Sequence, residues 1–183
     1  AVTEYTARVI NSLTEKGLCF AFATARSVYS AVPITSALEI SVPCMLMNGV
    51  SIYDTAEKRY IKSHFIEPEA SAEVIGAFEQ HGVHCFMYRI EGETLICYYS
   101  ALTTNVMRSF AEVRKNSYKK PFVQLEHLSD MADGSVVYFT TTGPYEELFP
   151  VKCQIEKIPG VSLAFYLDVY NGAWYLEVFS HEA

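Results

Sequence analysis

Positive charge is in short supply. The 183 residues carry 14 lysines and arginines against 21 aspartates and glutamates, a net charge of −7. That balance excludes the basic face which nucleic acid requires. It leaves room for a small anionic ligand, because a helix N-terminus acts locally. No apolar run approaches the roughly 18 residues of a membrane span, so no membrane partner is expected. Ala1-Val2-Thr3-Glu4-Tyr5 lacks the basic and apolar regions of a signal peptide. Cys-x-x-Cys and His-x-x-x-His are missing, which argues against structural zinc. The cysteines (Cys19, Cys44, Cys85, Cys97, Cys153) are odd in number, widely spaced and mostly set in apolar runs. They read as buried, reduced thiols of a cytoplasmic protein rather than a disulfide framework. No aspartate precedes Asp54, and no lysine follows Lys157.

What is present is apolar and aromatic. Half the residues are hydrophobic, with 13 Tyr and 11 Phe, enough for a substantial core and too many for disorder. Residues 3–17 carry Tyr5, Val9, Ile10 and Leu13 at helical spacing and stop at Gly17. Leu18 to Ala23 reads as a short strand buried on both faces. Ser27 to Leu38 reads as a helix crossing Pro33, and Pro43 to Met47 as a second buried strand. Ser51-Ile52-Tyr53 continues as a hairpin arm toward Tyr60-Ile61. Helix, strand, helix, strand at this spacing predicts part of a parallel α/β sheet.

The pattern then changes, and a boundary is expected near residues 62–67, dividing 1–64 from 65–183. Pro68 in a first turn opens a helix running to Gln80. Val83–Ile90 and Glu93–Tyr99 alternate as strands around Glu91-Gly92. Leu102–Arg114 is amphipathic, and a polar stretch with Pro121 follows. Ser135–Thr140 reads as a strand, Pro144–Lys157 as a helix, and Val161–Leu167 with Trp174–Phe179 as a hairpin around Asn171-Gly172. The near repetition of an α-β-β unit predicts an antiparallel sheet with helices on one face.

Chemistry concentrates where the first two apolar runs end. Thr24 follows one directly and precedes a predicted helix. Its hydroxyl, with the N–H groups of Ala25 and Arg26, could meet a phosphoryl oxygen at the unpaired donors of that helix start. Taken alone, Thr24 reads first as a helix cap and Asn48-Gly49 as an ordinary turn. Arg26 could face an anion or pair with an acid such as Glu39. His84 and Cys85 are adjacent and would point to opposite faces of a strand, so one metal ion is unsuited to both.

In their order, Phe22-Ala23-Thr24-Ala25-Arg26 and Met47-Asn48-Gly49-Val50-Ser51-Ile52-Tyr53-Asp54 resemble the haloacid dehalogenase superfamily, specifically its Cof-like phosphatases with a type-IIB cap. The resemblance spans essentially the whole chain. It implies a partial Rossmann-like α/β core, with parallel strands and helices, followed by an α+β cap of αββ(αβαβ)αββ topology. It implies a Mg²⁺-dependent phosphatase acting on small, sugar phosphate-like monoesters through an aspartyl-phosphate. Thr24 would bind the substrate phosphate as the second motif, with Ala25, Arg26, Asn48 and Gly49 lining the same cleft. A small phosphorylated metabolite is the implied partner.

Two departures bear on activity. The family's Asp-x-Asp motif should lie before Thr24, and its lysine and Mg²⁺-holding acids should follow Glu177-Val178; neither falls within this sequence. Asp130 and Asp133 lie inside the expected cap and cannot replace them. The Mg²⁺ ligands are therefore expected outside these residues, and the chain is expected to be a fragment. Ala25 stands where the family has glycine, which is harmless only if its φ is negative. A non-catalytic ligand-binding or interaction module derived from the same fold is the alternative. An unpaired Leu18–Ala23 edge would also favour a homodimer. Losing the nucleophile of a cooperative site costs on the order of 10⁶ in rate. The 183-residue polypeptide is thus expected to release p-nitrophenol from p-nitrophenyl phosphate at the background rate, and turnover above it would contradict this reading.

Overall fold

Thr3 begins the first helix, its Oγ1 accepting the N–H of Thr6 at 3.1 Å. A computed structural model describes residues 2–169 and 172–183 of the chain, in two compact units: residues 1–63 with Ala183, and residues 64–182.

The smaller unit contains α1 (Glu4–Thr14), α2 (Val28–Thr35), β1 (Cys44–Leu46), β2 (Ser51–Asp54) and β3 (Arg59–Ser63). The three strands form an antiparallel sheet in the order β1-β2-β3. At the turn between β2 and β3, Asp54 Oδ1 accepts the N–H groups of Ala56 and Glu57, both at 2.9 Å. Tyr53 and Tyr60 pack edge to face across the hairpin, 5.0 Å apart. Tyr53 and Asp54 thus hold the hairpin.

The expected strand over Leu18–Ala23 does not form. Among the described residues the segment makes one parallel bridge, Ala23 to Met45, and Leu18 is 48% exposed. An apolar run becomes a strand buried on both faces only where neighbours cover and pair it. Here Met45 alone is its ladder partner, so parallel pairing shrinks to that bridge.

The larger unit runs α3 (Pro68–Gln80), β4 (Phe86–Glu91), β5 (Thr94–Tyr99), α4 (Asn105–Asn116), β6 (Phe122–Gln124), a 3₁₀ turn (Leu128–Met131), β7 (Val136–Gly143), α5 (Tyr145–Ile155), β8 (Val161–Leu167) and β9 (Trp174–Ser180). The order is α-β-β, then α-β-3₁₀-β, then α-β-β, which follows the implied topology with a 3₁₀ turn in place of the second helix of the αβαβ insert. The six strands lie in the order β6-β5-β4-β7-β9-β8, all antiparallel except the parallel pair β5 and β6. The short β6 directly follows the polar stretch that ends at Pro121 and is the first strand of the implied αβαβ insert. Gly92, with φ +60°, occupies the first place of the two-residue turn between Glu91 and Thr94. Of the predicted turn Asn171-Gly172, Asn171 lies outside the described residues.

Helices cover both faces of this sheet, not one. Ala70, Val74, Ala77 and Phe78 of α3 and Leu148, Val151 and Ile155 of α5 share a core with Met87, Phe139, Leu176 and Val178. Side chains alternate along β4, so Phe86 points away from that core. Phe86 stacks on Phe110 of α4 at 4.8 Å and meets Phe122 edge to face at 5.8 Å. Helical spacing within α4 shows an apolar stripe but not which sheet face it covers.

Two buried cations brace the unit. Arg89, 5% exposed, donates to Glu91 Oε1 at 2.9 Å and to Asp133 Oδ2 at 2.6 Å, tying β4 to the loop before β7. Partial burial pushes the Asp133 pKa up, but its bonds with Ser135 and the charge of Arg89 outweigh this and hold it below its usual range. Lys120 is 6% exposed, its Nζ 4.4 Å from the centre of the Tyr88 ring. Burial, reinforced by the charge of Arg114, lowers its pKa to about 8, although nearby Cys97 acts in the opposite sense.

A lysine held below its unfolded value of about 10.4 opposes folding. That penalty is fully present below pH 8 and is relieved as pH rises toward the unfolded value. The cation–π contact with Tyr88 offsets part of it. Lys120→Met should therefore stabilise the chain at pH 7 by about 1–3 kcal/mol. Urea denaturation should show this gain shrinking between pH 8 and 10; a pH-independent difference would show that the charge is not its source.

Candidate functional site

Met45 links the two segments that carry the candidate residues. Its N–H donates to the Phe22 carbonyl at 3.0 Å, and its carbonyl accepts the N–H of Thr24, also at 3.0 Å. One turn further on, Met47 N–H donates to the Arg26 carbonyl at 3.2 Å and Asn48 N–H to the Thr24 carbonyl at 3.3 Å. These bonds place Thr24, Ala25 and Arg26 beside Asn48 and Gly49 in a single clasp within the smaller unit.

Thr24 is half-buried, neither sealed in an apolar interior nor fully open. Its Oγ1 accepts the Arg26 N–H at 3.2 Å, closing a local hydroxyl turn. A hydroxyl has two lone pairs and a rotatable hydrogen, so Thr24 can accept this bond and still donate to an anion. Ala25, Arg26 and Asn48 are exposed around it.

Two expectations for this loop change. α2 starts at Val28 with Ser27 as its N-cap, so Ala25 and Arg26 precede the helix and do not belong to its first turn. The Arg26 N–H is already given to Thr24 and is no free donor for a phosphoryl oxygen. The Arg26–Glu39 pair does not form: among the described residues, Arg26 enters no ion pair. The Arg26 side chain extends from the clasp, exposed.

Ala25 is compatible with its position. Positive φ among the described non-glycine residues is confined to Met47, Asn48, Lys58 and Lys119, so this backbone does not require glycine. The facing loop does carry that requirement. Met47 (φ +52°), Asn48 (+60°) and Gly49 (+95°) are left-handed in succession. Asparagine and glycine tolerate this; methionine bears a cost of about 1–2 kcal/mol. Strain maintained by surrounding bonds is characteristic of binding loops. Met47, which sequence reading treated only as the end of a strand, is thus part of the clasp. The Asn48-Gly49 pair was the signal for it, since both residues favour φ > 0.

The other candidates have structural partners. Cys85 and Cys97 are buried; burial pushes both thiols up, Cys97 to about 12, so neither is a nucleophile at neutral pH. Asp133 belongs to the Arg89 clamp.

Comparison with known proteins places this geometry in context. A family model described as haloacid dehalogenase-like hydrolase matches residues 1–172. A haloacid dehalogenase-like hydrolase from Bacteroides thetaiotaomicron superposes with a TM-score of 0.72 at 13% identity, covering 99% of this chain and 65% of its own. One from B. subtilis gives 0.73 at 12% identity, over 100% and 68%. A structure described as a HAD subclass IIB sugar phosphatase gives 0.60 at 19% identity, over 98% and 63%. At these identities the likeness is one of fold. The chain thus spans about two thirds of these proteins' length. In sequence, 66 residues are 33% identical to a protein of Buchnera aphidicola carrying a provisional phosphatase name, covering 24% of it.

The left-handed loop has a measurable consequence. A Cβ on Gly49 would meet the Ala183 carbonyl carbon at 3.3 Å, besides needing φ +95°. Gly49→Ala should destabilise the clasp by about 1–2 kcal/mol. Hydrogen exchange at the Thr24 and Met45 amides should then speed up about 5- to 30-fold. Unchanged protection would show that the loop does not support the bridge.

Proposed function

The chain belongs to the haloacid dehalogenase-like hydrolases, and from that membership we propose that it forms part of a phosphatase hydrolysing small, sugar phosphate-like monoesters. The observation that carries this reading is the clasp. A half-buried threonine hydroxyl, able to donate while its oxygen accepts the Arg26 N–H, lies beside exposed Ala25, Arg26 and Asn48, on a backbone fixed by four cross-segment bonds. Preorganised donors of this kind favour an anion whose charge grows as phosphorus is attacked.

In this proposal Thr24 binds and orients a phosphoryl oxygen. Arg26, exposed and outside any ion pair among the described residues, adds positive charge at the rim. Asn48 and Gly49 complete the wall. The larger unit takes the role of a cap that selects the leaving group. Sugar phosphates are suggested by one fold neighbour, a subclass IIB sugar phosphatase.

The superfamily's Mg²⁺ does not fit the residues in hand. Among the described residues there is no group of three or more His, Cys, Asp or Glu side chains able to hold a metal ion. The clasp offers hydrogen-bond donors, which suit an anion and repel a cation. We therefore assign the Mg²⁺ ligands and the aspartate that would form the aspartyl-phosphate to residues other than these 183, and propose that this polypeptide by itself is inactive.

Thr24→Ala in the full-length enzyme should lower kcat/KM for p-nitrophenyl phosphate by about 10²–10³, the weight of one preorganised donor. Thr24→Ser, which keeps the hydroxyl, should recover most of it. Near-normal turnover in the alanine variant would remove Thr24 from the site.

A further inference from the structure

A cavity of about 250 Å³ opens in the larger unit, where the end of α3 meets the entry to β4. Its floor is apolar: Ile75 and Phe78 from α3 and Leu128 from the 3₁₀ turn, each 5% exposed or less. On the wall, His84 Nδ1 lies 3.1 Å from Ser100 Oγ. The His84 carbonyl accepts the Thr141 hydroxyl at 2.6 Å, which fixes the backbone carrying the ring. Glu79 and Glu126, both exposed, complete the lining. Glu126 lies 3.8 Å from the His127 ring, and Glu79 enters no ion pair among the described residues. No lysine or arginine lines the space.

This lining selects by chemistry. An anion would meet two carboxylates with no cation to balance them. A neutral apolar molecule would use the floor and leave the glutamates idle. A bare divalent ion would need a ligand cluster that the described residues do not provide. A compact organic cation uses both parts of the lining: its apolar body covers Phe78, Ile75 and Leu128, and its ammonium group answers the charge of the glutamates. A dry cavity of about 150 Å³ holds benzene, so 250 Å³ accommodates a ring with a two- or three-atom arm.

We propose that this cavity binds a small primary ammonium ion carrying an aromatic or branched apolar body. The site is separate from the Thr24 clasp, draws on none of its residues, and stands whether or not the phosphatase reading holds. Cys85 in its lining is deeply buried and takes no covalent part.

Three probes of one shape decide it: 2-phenylethylamine, neutral 2-phenylethanol and anionic phenylacetate. Each is titrated into the 183-residue chain and followed by amide and methyl NMR. The amine should shift Gly82, His84 and Leu128 resonances saturably, the alcohol should bind about fivefold more weakly, and phenylacetate more weakly still. Glu79→Gln should weaken the amine by about fivefold, the weight of one exposed ion pair, and leave the alcohol unchanged. Glu126→Gln is the second variant should the first perturb folding. The proposal is overturned if the amine gives no saturable shift up to ~10 mM, a generous limit for a ligand of this size. Equal affinity for all three probes, or an amine response unaltered in both variants, would overturn it too.

Discussion

The Met45 peptide is bonded on both sides to the first apolar run: its N–H reaches back to Phe22 and its carbonyl takes the N–H of Thr24. Two bonds of ordinary length thereby fix the end of one segment against the start of the next. Everything proposed for the smaller unit depends on that bridge. Without it, the Thr24 hydroxyl would lie on an exposed segment with no defined relation to Asn48 and Gly49. The left-handed run Met47-Asn48-Gly49 is the local cost of turning the chain from the bridge into β2. Met47 N–H to the Arg26 carbonyl helps hold it there.

The larger unit rests on a different constraint, a sheet with two unlike faces. One face carries an aliphatic and aromatic core closed by α3 and α5. The other carries the Phe86–Phe110 stack, with Lys120 lying over Tyr88. Each of the two buried cations has a ring or a carboxylate beside it: Tyr88 for Lys120, and Glu91 with Asp133 for Arg89. Such groups add little net stability, because their desolvation consumes most of the attraction. They do fix which strand lies against which loop.

Much of this was legible before any coordinates. α1, α3, α5, β8 and β9 form close to where periodicity and their stops placed them, since those signals are carried within each segment. Pro68 in the first turn of α3 is one case. The order of motifs around Thr24 and Asn48 carried the family resemblance, and the family match over residues 1–172 bears it out. The fold class stands as well, with parallel and antiparallel pairing both present. The bonds of the clasp were not legible, because Thr24 and Asn48 are 24 positions apart and hydrogen-bond partners are not encoded in either run.

The sequence by itself determined the segments, their apolar stripes and the order in which they follow one another, because side-chain periodicity and turn chemistry act over a few residues. Only the tertiary structure decided that Leu18–Ala23 remains an exposed segment with a single bridge. It also decided that α4 covers the sheet face opposite α3 and α5, and that Phe122–Gln124 joins β5 in parallel. Each of these depends on which neighbour supplies a ladder partner or an apolar surface. A strand's hydrogen bonds and a helix's buried face are completed by residues far away in the chain, so no local pattern contains them.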